Sequence, residues 1–495
     1  MENPILMLLE KLTQTQDKLT QGFQLFKDID AIEIGTAEKE LVWSLDKTKL
    51  YRYKRDSEPS IKTPIVVSYA LINRFDMMDL QPDRSLFRKL LSLGMDIYVL
   101  DTGYPTRNDR YLRMDDYING YLDAAIDFVR ESHQISKVNL LGVCQGGTFS
   151  VIYSAIYPEK IKNLITLVTP IDFSGDDGLL FTWARDMDVD TVVEGFGGLV
   201  PGTFLDVGFQ MLKPMLKVRK QKNLVDMMDN RDKLMNFMRM EKWINDLPDQ
   251  AGETYRQFIK DLYQQNKLVK GELIIGDHQI DLQNIDMPVL TIYASEDHLV
   301  PPSSTKPLND LIASKDKKLY EFPGGHIGVF TGRRSQKELS PTIHEFLVKR
   351  DQADKVVKKA KSPAKTKTKD ASKPSNMELD IKKEEEIPAA QKRNKSSKSE
   401  ALEKIKALAE NFDFTNIGMA SLGDKDDLKK ITGIGPLIAD KLNALGIRTF
   451  EQLSKLNPDD ILNISKVTEI SSGRIQNDKW VTQAKDLLSK LGKPK

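Results

Sequence analysis

The sequence predicts an α/β chain: a mostly parallel sheet carrying a helical cap insertion, then a linker, then a small all-α domain at the C-terminal end. Three observations carry this reading. Short apolar runs alternate with amphipathic stretches from about 64 to 168 and resume near 289. Strands alternating with helices imply a parallel sheet, and strands buried on both faces read as near-continuous apolar runs. The segment from about 174 to 280 breaks that rhythm, and near 350 the composition turns abruptly to Lys, Ser, Ala, Pro and Glu without aromatics.

Taken in order, residues 3 to 30 are expected to form a helix, because Ile5, Leu8, Leu9 and Leu12 recur at helical spacing. Two strands of mixed polarity follow, Glu40 to Ser44 and Lys49 to Tyr53. Buried parallel strands are expected at Pro64 to Tyr69, Asp96 to Leu100 and Val138 to Gly142. Between the last two, Ile118, Tyr121, Leu122, Ala125, Ile126 and Val129 mark one face of an amphipathic helix. Further strands fall at Leu164 to Val168, Val289 to Tyr293 and Lys318 to Phe322.

The insertion at about 174 to 280 reads as a helical cap. It holds Trp183 and Trp243 and is rich in methionine (Met211, Met215, Met227, Met228, Met235, Met238, Met240). Methionine fills irregular gaps in cores and also lines adaptable apolar surfaces, so core filling and a channel for an acyl chain are both open. The first domain thus spans 1–350. Residues 351–400 read as a disordered Lys-rich tether, because such a composition cannot bury enough apolar surface to offset ordering entropy. Order resumes at 401–495. There Gly433-Ile434-Gly435 forms a hairpin, and Pro436 suits the first turn of the following helix.

Composition narrows the function. The net charge of +1 demands no polyanionic partner, and the single cysteine excludes an intrachain disulfide. Met1-Glu2-Asn3-Pro4 lacks the start of a signal peptide, and no apolar run approaches the roughly 20 residues of a bilayer span. A soluble, cytoplasmic protein without a membrane span is therefore expected; no metal site is expected either.

That cysteine lies in Leu140-Leu141-Gly142-Val143-Cys144-Gln145-Gly146-Gly147-Thr148, a strand entering a tight glycine turn and then a helix. This is the layout of a nucleophile elbow with a thiol in place of the hydroxyl, and a thiol favours thioester exchange. Such a nucleophile needs a base and an orienting carboxylate. In α/β-hydrolase-type chain order the acid follows the nucleophile and the histidine comes last. Asp297 follows the strand ending at Tyr293, and His326 sits in Gly324-Gly325-His326-Ile327-Gly328 after the last strand. His298 is a rival base and Glu296 a rival acid. An oxyanion hole needs two backbone N–H groups. One is expected from Gln145 and the other from the loop Ala70 to Ile72, at Leu71.

At these residues the sequence resembles the polyhydroxyalkanoate synthases, most closely their class III catalytic subunit, over residues 1 to about 350. The resemblance is carried by Tyr69-Ala70-Leu71-Ile72-Asn73-Arg74, Gly142 to Phe149, Glu241-Lys242-Trp243-Ile244, Pro248-Asp249-Gln250-Ala251-Gly252 with Arg256-Gln257-Phe258, Ala294 to Pro301, and Gly324 to Gly328. It implies catalysis by Cys144, Asp297 and His326, 3-hydroxyacyl-CoA substrates such as 3-hydroxybutyryl-CoA, and a polymer growing as a thioester on the cysteine. Coenzyme A is then part of the substrate, not a cofactor. Asp297 is either the orienter of His326 or the group that activates the incoming 3-hydroxyl. A homodimer, a non-catalytic partner subunit and a polyester granule surface are implied as partners. The chain departs at Asp101-Thr102-Gly103-Tyr104-Pro105, where relatives carry Trp after the Asp, and in everything beyond 350. The tail is similar to helix-hairpin-helix modules, in which hairpin N–H groups such as those of Gly433 and Gly435 hold a phosphate. Nucleic-acid contact and protein contact through residues 401–495 are both open.

Overall fold

The computed structural model describes residues 32–55, 58–212, 224, 227–360, 397–410, 412–421, 423–431, 433–468, 470, 475 and 479–490. The helix expected at 3 to 30 and Met215 therefore lie outside the described residues, as does the tether from 361 to 396.

Eight strands form one sheet: β1 (Lys39–Leu45), β2 (Thr48–Tyr53), β3 (Ile65–Ser68), β4 (Ile97–Asp101), β5 (Val138–Val143), β6 (Ile161–Leu167), β7 (Val289–Ala294) and β8 (Lys317–Phe322). Their spatial order is β1-β2-β4-β3-β5-β6-β7-β8. The mixed-polarity strands β1 and β2 pair antiparallel at one edge, and every pair from β4 to β8 is parallel. Alternation in the central strands sends side chains to two separate cores. Val66, Leu100, Leu140 and Leu164 pack on one face; Ile65, Val67, Val99, Leu141 and Ile165 pack on the other. Two-sided burial is the reason these strands read as unbroken apolar runs.

Five helices frame the site and the tail: α1 (Asp123–Ser132), α2 (Gln145–Ile156), α3 (Gly202–Leu212), α4 (Arg231–Ile244) and α5 (Pro436–Leu445). The predicted amphipathic helix is α1 preceded by a π-helical turn, Asp116–Leu122, and its apolar face (Ile118, Tyr121, Leu122, Ala125, Ile126, Val129) is buried as expected. The insertion is indeed largely helical. It includes α3 and α4, and a two-residue antiparallel ribbon ties Leu199–Val200 to Gln250–Ala251 at its base.

The expected boundary at 350 is corrected. The last helix of the first domain runs Ser340–Ala360, because the sequence from 351 to 360 has neither Pro nor Gly and continues with good helix formers. The C-terminal module has its own core around Leu442, Phe450, Ile464 and the fully buried Trp480. Before its hairpin lies a 3₁₀ turn, Leu428–Lys430. After it, Gly435 is the N-cap and Pro436 the first residue of α5.

Glycines decide how closely α2 approaches the sheet. A Cβ on Gly146 would lie 2.5 Å from the Ser68 carbonyl and from the Tyr69 backbone, and one on Gly147 would lie 1.9 Å from Thr169 Oγ1. Backbone cannot yield as a flexible side chain can. Gly146→Ala is therefore expected to cost about 1–3 kcal/mol and to lower the thermal midpoint. Gly195→Ala, where nothing lies within 4 Å, is the control and should leave the midpoint unchanged. Equal midpoints for the two variants would contradict the close-packing argument.

Candidate active site

Sheet register assembles the site. Ser68 pairs with Gly142, so the loop after β3 emerges beside the turn after β5. Ala294 pairs with Phe322, so the loops after β7 and β8 leave the sheet side by side. Those two loops are stitched by Ser295 N–H to Phe322 O (2.9 Å) and Glu296 N–H to Gly324 O (2.8 Å). Residues distant in sequence thus meet at the C-terminal ends of the strands, where α/β sheets place their ligands.

Cys144 has φ +52° and ψ −123°, a backbone conformation rarely adopted by L-residues. Such strain costs on the order of 1–3 kcal/mol and persists only where neighbours enforce it. Here the Cys144 N–H donates to Leu167 O at 2.9 Å, and its own carbonyl accepts the N–H groups of Gly147 (2.9 Å) and Thr148 (3.2 Å). The turn lifts the thiol off the end of β5 and starts α2 at Gln145, whose N–H lies among the free donors at the helix N-terminus.

His326 Nδ1 is 2.7 Å from Asp297 Oδ2. The other carboxylate oxygen, Oδ1, accepts the N–H groups of Leu299 and Val300, both at 2.9 Å. Asp297 is buried, whereas the rival acid Glu296 is exposed. The rival base His298 borders the cavity, but the ring on Asp297 belongs to His326. Burial by itself lowers the His326 pKa. The Asp297 carboxylate and the Cys144 side chain outweigh it, and the ring is pushed up to about 10.

Cys144 and His326 open into a cavity of about 1060 Å³. Its roof is the cap: Trp183, Phe204, Phe209, Met211, Met227 and Met240 all line it. Some of the cap methionines therefore face the cavity, while Met228 is core. Asp297 is not among the lining residues, so the carboxylate sits behind the histidine ring.

The expectation for Leu71 is corrected. Its N–H donates to Gln145 Oε1 at 3.0 Å, and its side chain turns into the core, so this N–H is not offered to a substrate oxygen. Its neighbours Ala70 and Ile72 do line the cavity. Sequence reasoning also missed two cap residues that hold this loop: Gln250 Nε2 donates to Leu71 O (3.1 Å) and Trp243 Nε1 to Arg74 O (2.7 Å). Both stand in segments noted in the sequence, but partners 179 and 169 positions away leave no local signal. At the departure Asp101 to Pro105, Asp101 accepts both Arg74 nitrogens (2.6 and 2.8 Å), and Tyr104 lies under the Arg74 guanidinium at 4.8 Å. In the tail, Gly433 has φ +89°, a left-handed turn that glycine adopts without strain, and Gly435 is extended.

Among the described residues no group of His, Cys, Asp and Glu is arranged to hold a metal ion, and no helix is long and apolar enough to cross a membrane. Residues 64–333 match the family model for the alpha/beta hydrolase fold, and residues 428–488 match the RS2/RL21/YNQ2 HHH domain. A poly(3-hydroxyalkanoate) polymerase subunit PhaC from Allochromatium vinosum is 47% identical over 354 residues, covering 70% of this chain and 99% of the relative. One from Synechocystis is 45% identical over 356 residues, covering 69% of this chain and 94% of the relative. A third, from Haloarcula marismortui, is 32% identical over 471 residues and covers 93% of this chain and 94% of the relative, so that alignment passes beyond residue 350. The strand order, the strained Cys144 turn and these identities agree: the chain belongs to the alpha/beta hydrolase fold family and, within it, to the poly(3-hydroxyalkanoate) polymerase subunits named PhaC.

Proposed function

We propose that this chain polymerises 3-hydroxyacyl units from 3-hydroxyacyl-CoA, with 3-hydroxybutyryl-CoA as substrate, through an acyl thioester on Cys144. The observation that carries the reading is one arrangement: the thiol and His326 at the floor of a large apolar cavity roofed by a methionine-rich cap. The names of the relatives support polymer synthesis over hydrolysis.

In this mechanism the proton of the Cys144–His326 pair already rests on the His326 ring, which is pushed up to about 10, as the Cys144 sulfur attacks the thioester carbonyl. The oxyanion is stabilised by the Gln145 N–H at the start of α2, with a second donor from the loop at Ala70 or Ile72. The bond from carbonyl carbon to CoA sulfur breaks, CoA leaves with the proton from His326, and the acyl group stays on Cys144. A 3-hydroxyl from another unit then loses its proton to His326 and attacks the acyl-enzyme. An ester forms, and the sulfur–acyl bond breaks. Asp297 has one oxygen on His326 and the other on two backbone N–H groups, behind the ring and off the cavity wall. This supports the orienting role over direct activation of the hydroxyl. No cofactor is required, since CoA enters as part of the substrate.

A hydrolase of the same fold, either a polyester depolymerase or a thioesterase, is the competing reading. We further propose a homodimer, a class III-type partner subunit, and a cytoplasmic location at the polyester granule surface. The tail, with its own core and a glycine hairpin, is proposed as a module that tethers these granules to another molecule. A gel shift at low salt separates its two readings. Retardation lost on deleting 401–495 assigns nucleic acid, and no retardation removes that reading.

With 3-hydroxybutyryl-CoA the full chain should release CoA and accumulate polymer, and Cys144→Ala should lower the rate by at least about 10³-fold. Free 3-hydroxy acid in place of polymer would favour the hydrolase, and activity retained by the variant would overturn the mechanism. The raised His326 pKa gives a second prediction. Its unfolded value is near 6.5 and its folded value about 10, so the pair's stabilisation is complete below about 6.5 and is lost as pH rises through about 10. In isotope-labelled protein the His326 ring should titrate near 10 by NMR, and Asp297→Asn should lower that midpoint by at least about one unit. An unshifted midpoint would contradict the role given to Asp297.

A further inference from the structure

The loop at residues 70–74 is gripped by the cap. The Leu71 peptide is held from both sides: its N–H by Gln145 Oε1 at 3.0 Å, its carbonyl by Gln250 Nε2 at 3.1 Å. Both glutamines are buried, at 7% and 4% exposure, so these bonds form away from competing water. Further along the loop the Arg74 carbonyl accepts Trp243 Nε1 at 2.7 Å. Gln145 belongs to the nucleophile helix, whereas Gln250 and Trp243 belong to the cap.

The peptide unit is planar, so the Leu71 carbonyl and the Ile72 N–H are fixed together and point opposite ways. Whatever holds that carbonyl also aims the Ile72 N–H, and Ile72 lines the catalytic cavity. The Gln250 amide is itself oriented, because Nε2 also donates to Pro248 O at 3.0 Å. Its backbone pairs with Val200, and next to it the Gly252 N–H donates to Gly198 O at 2.8 Å and Asp249 Oδ1 accepts the Gly202 N–H at 3.0 Å. A displacement of the cap segment 198–202, which leads into α3, therefore carries Gln250 with it.

We propose that Gln250 and Trp243 are positioning residues: they lock the 70–74 loop to the cap, so that the oxyanion site is complete only with the cap seated. The inference rests on the acyl-transfer reading for its catalytic consequence but not for the lock itself. Neither residue performs chemistry. Each acts through the loop backbone, and the cap thereby couples occupancy of the cavity to the stabilisation of the tetrahedral intermediate.

The test uses the full chain with Gln250→Ala, Gln250→Glu (near-equal size, no donor) and Trp243→Phe (ring kept, N–H lost). Amide hydrogen exchange across 70–74 should speed up by about tenfold in each. For CoA release from 3-hydroxybutyryl-CoA, kcat should fall by about tenfold with KM unchanged, and alkylation of Cys144 by iodoacetamide should keep its rate. Wild-type exchange in all three variants, or full kcat in Gln250→Glu, would overturn the proposal. A wild-type chain that releases no CoA would instead overturn the acyl-transfer reading, and the exchange measurement would still decide the lock. Should Gln250→Ala fail to fold, Trp243→Phe carries both measurements.

Discussion

The structure depends on how closely one helix can approach one strand end. Gly146 lets the first turn of α2 rest against the Ser68 carbonyl, and Gly147 lets it rest against Thr169. Beside that approach Cys144 takes its positive φ, with the backbone anchored to Leu167 and to the helix's own first amides. The sharp turn presents the thiol, starts the helix directly beside it and brings the Gln145 side chain to the neighbouring loop. A methyl group at either glycine would disturb all three together.

From that point the site is built by register. Parallel pairing of β3 with β5 brings one loop to the thiol, and pairing of β7 with β8 brings Asp297 to His326. Electrostatics finish the arrangement. A buried carboxylate with one oxygen satisfied by backbone N–H groups keeps its second oxygen for the histidine, which then holds its proton far more tightly than in water. The cap contributes the apolar roof and, through two hydrogen bonds to loop carbonyls, a mechanical link to the same site.

Much of this was legible in the sequence. All eight sheet strands were identifiable: two-sided burial writes the central ones as short apolar runs, while the edge pair β1 and β2 reads as mixed polarity; the placing of Cys144, Asp297 and His326 after strands was legible too, because each follows one in a fixed order. The N–H of Leu71 was misjudged, since the orientation of a loop peptide depends on which side chains reach it, here Gln145 and Gln250. Asp297 was preferred to Glu296 in the sequence, but the difference between these neighbours shows only in the structure, where the turn buries the first and exposes the second. The end of the first domain was misplaced by about ten residues because helix propensity continues through the Lys-rich stretch after 350. The Gln250 and Trp243 contacts had no sequence signature, as they join segments that only the folded cap brings together.

The central claim is that a polyester chain grows on Cys144. It is tested most directly by acid-quenching the full chain during turnover of 3-hydroxybutyryl-CoA and mapping covalent adducts by peptide mass spectrometry. The account predicts 3-hydroxybutyryl units, single and oligomeric, on the peptide containing Cys144 and on no other. A polymerising enzyme with unmodified Cys144 at every quench time, or with the acyl group on another residue, would contradict it.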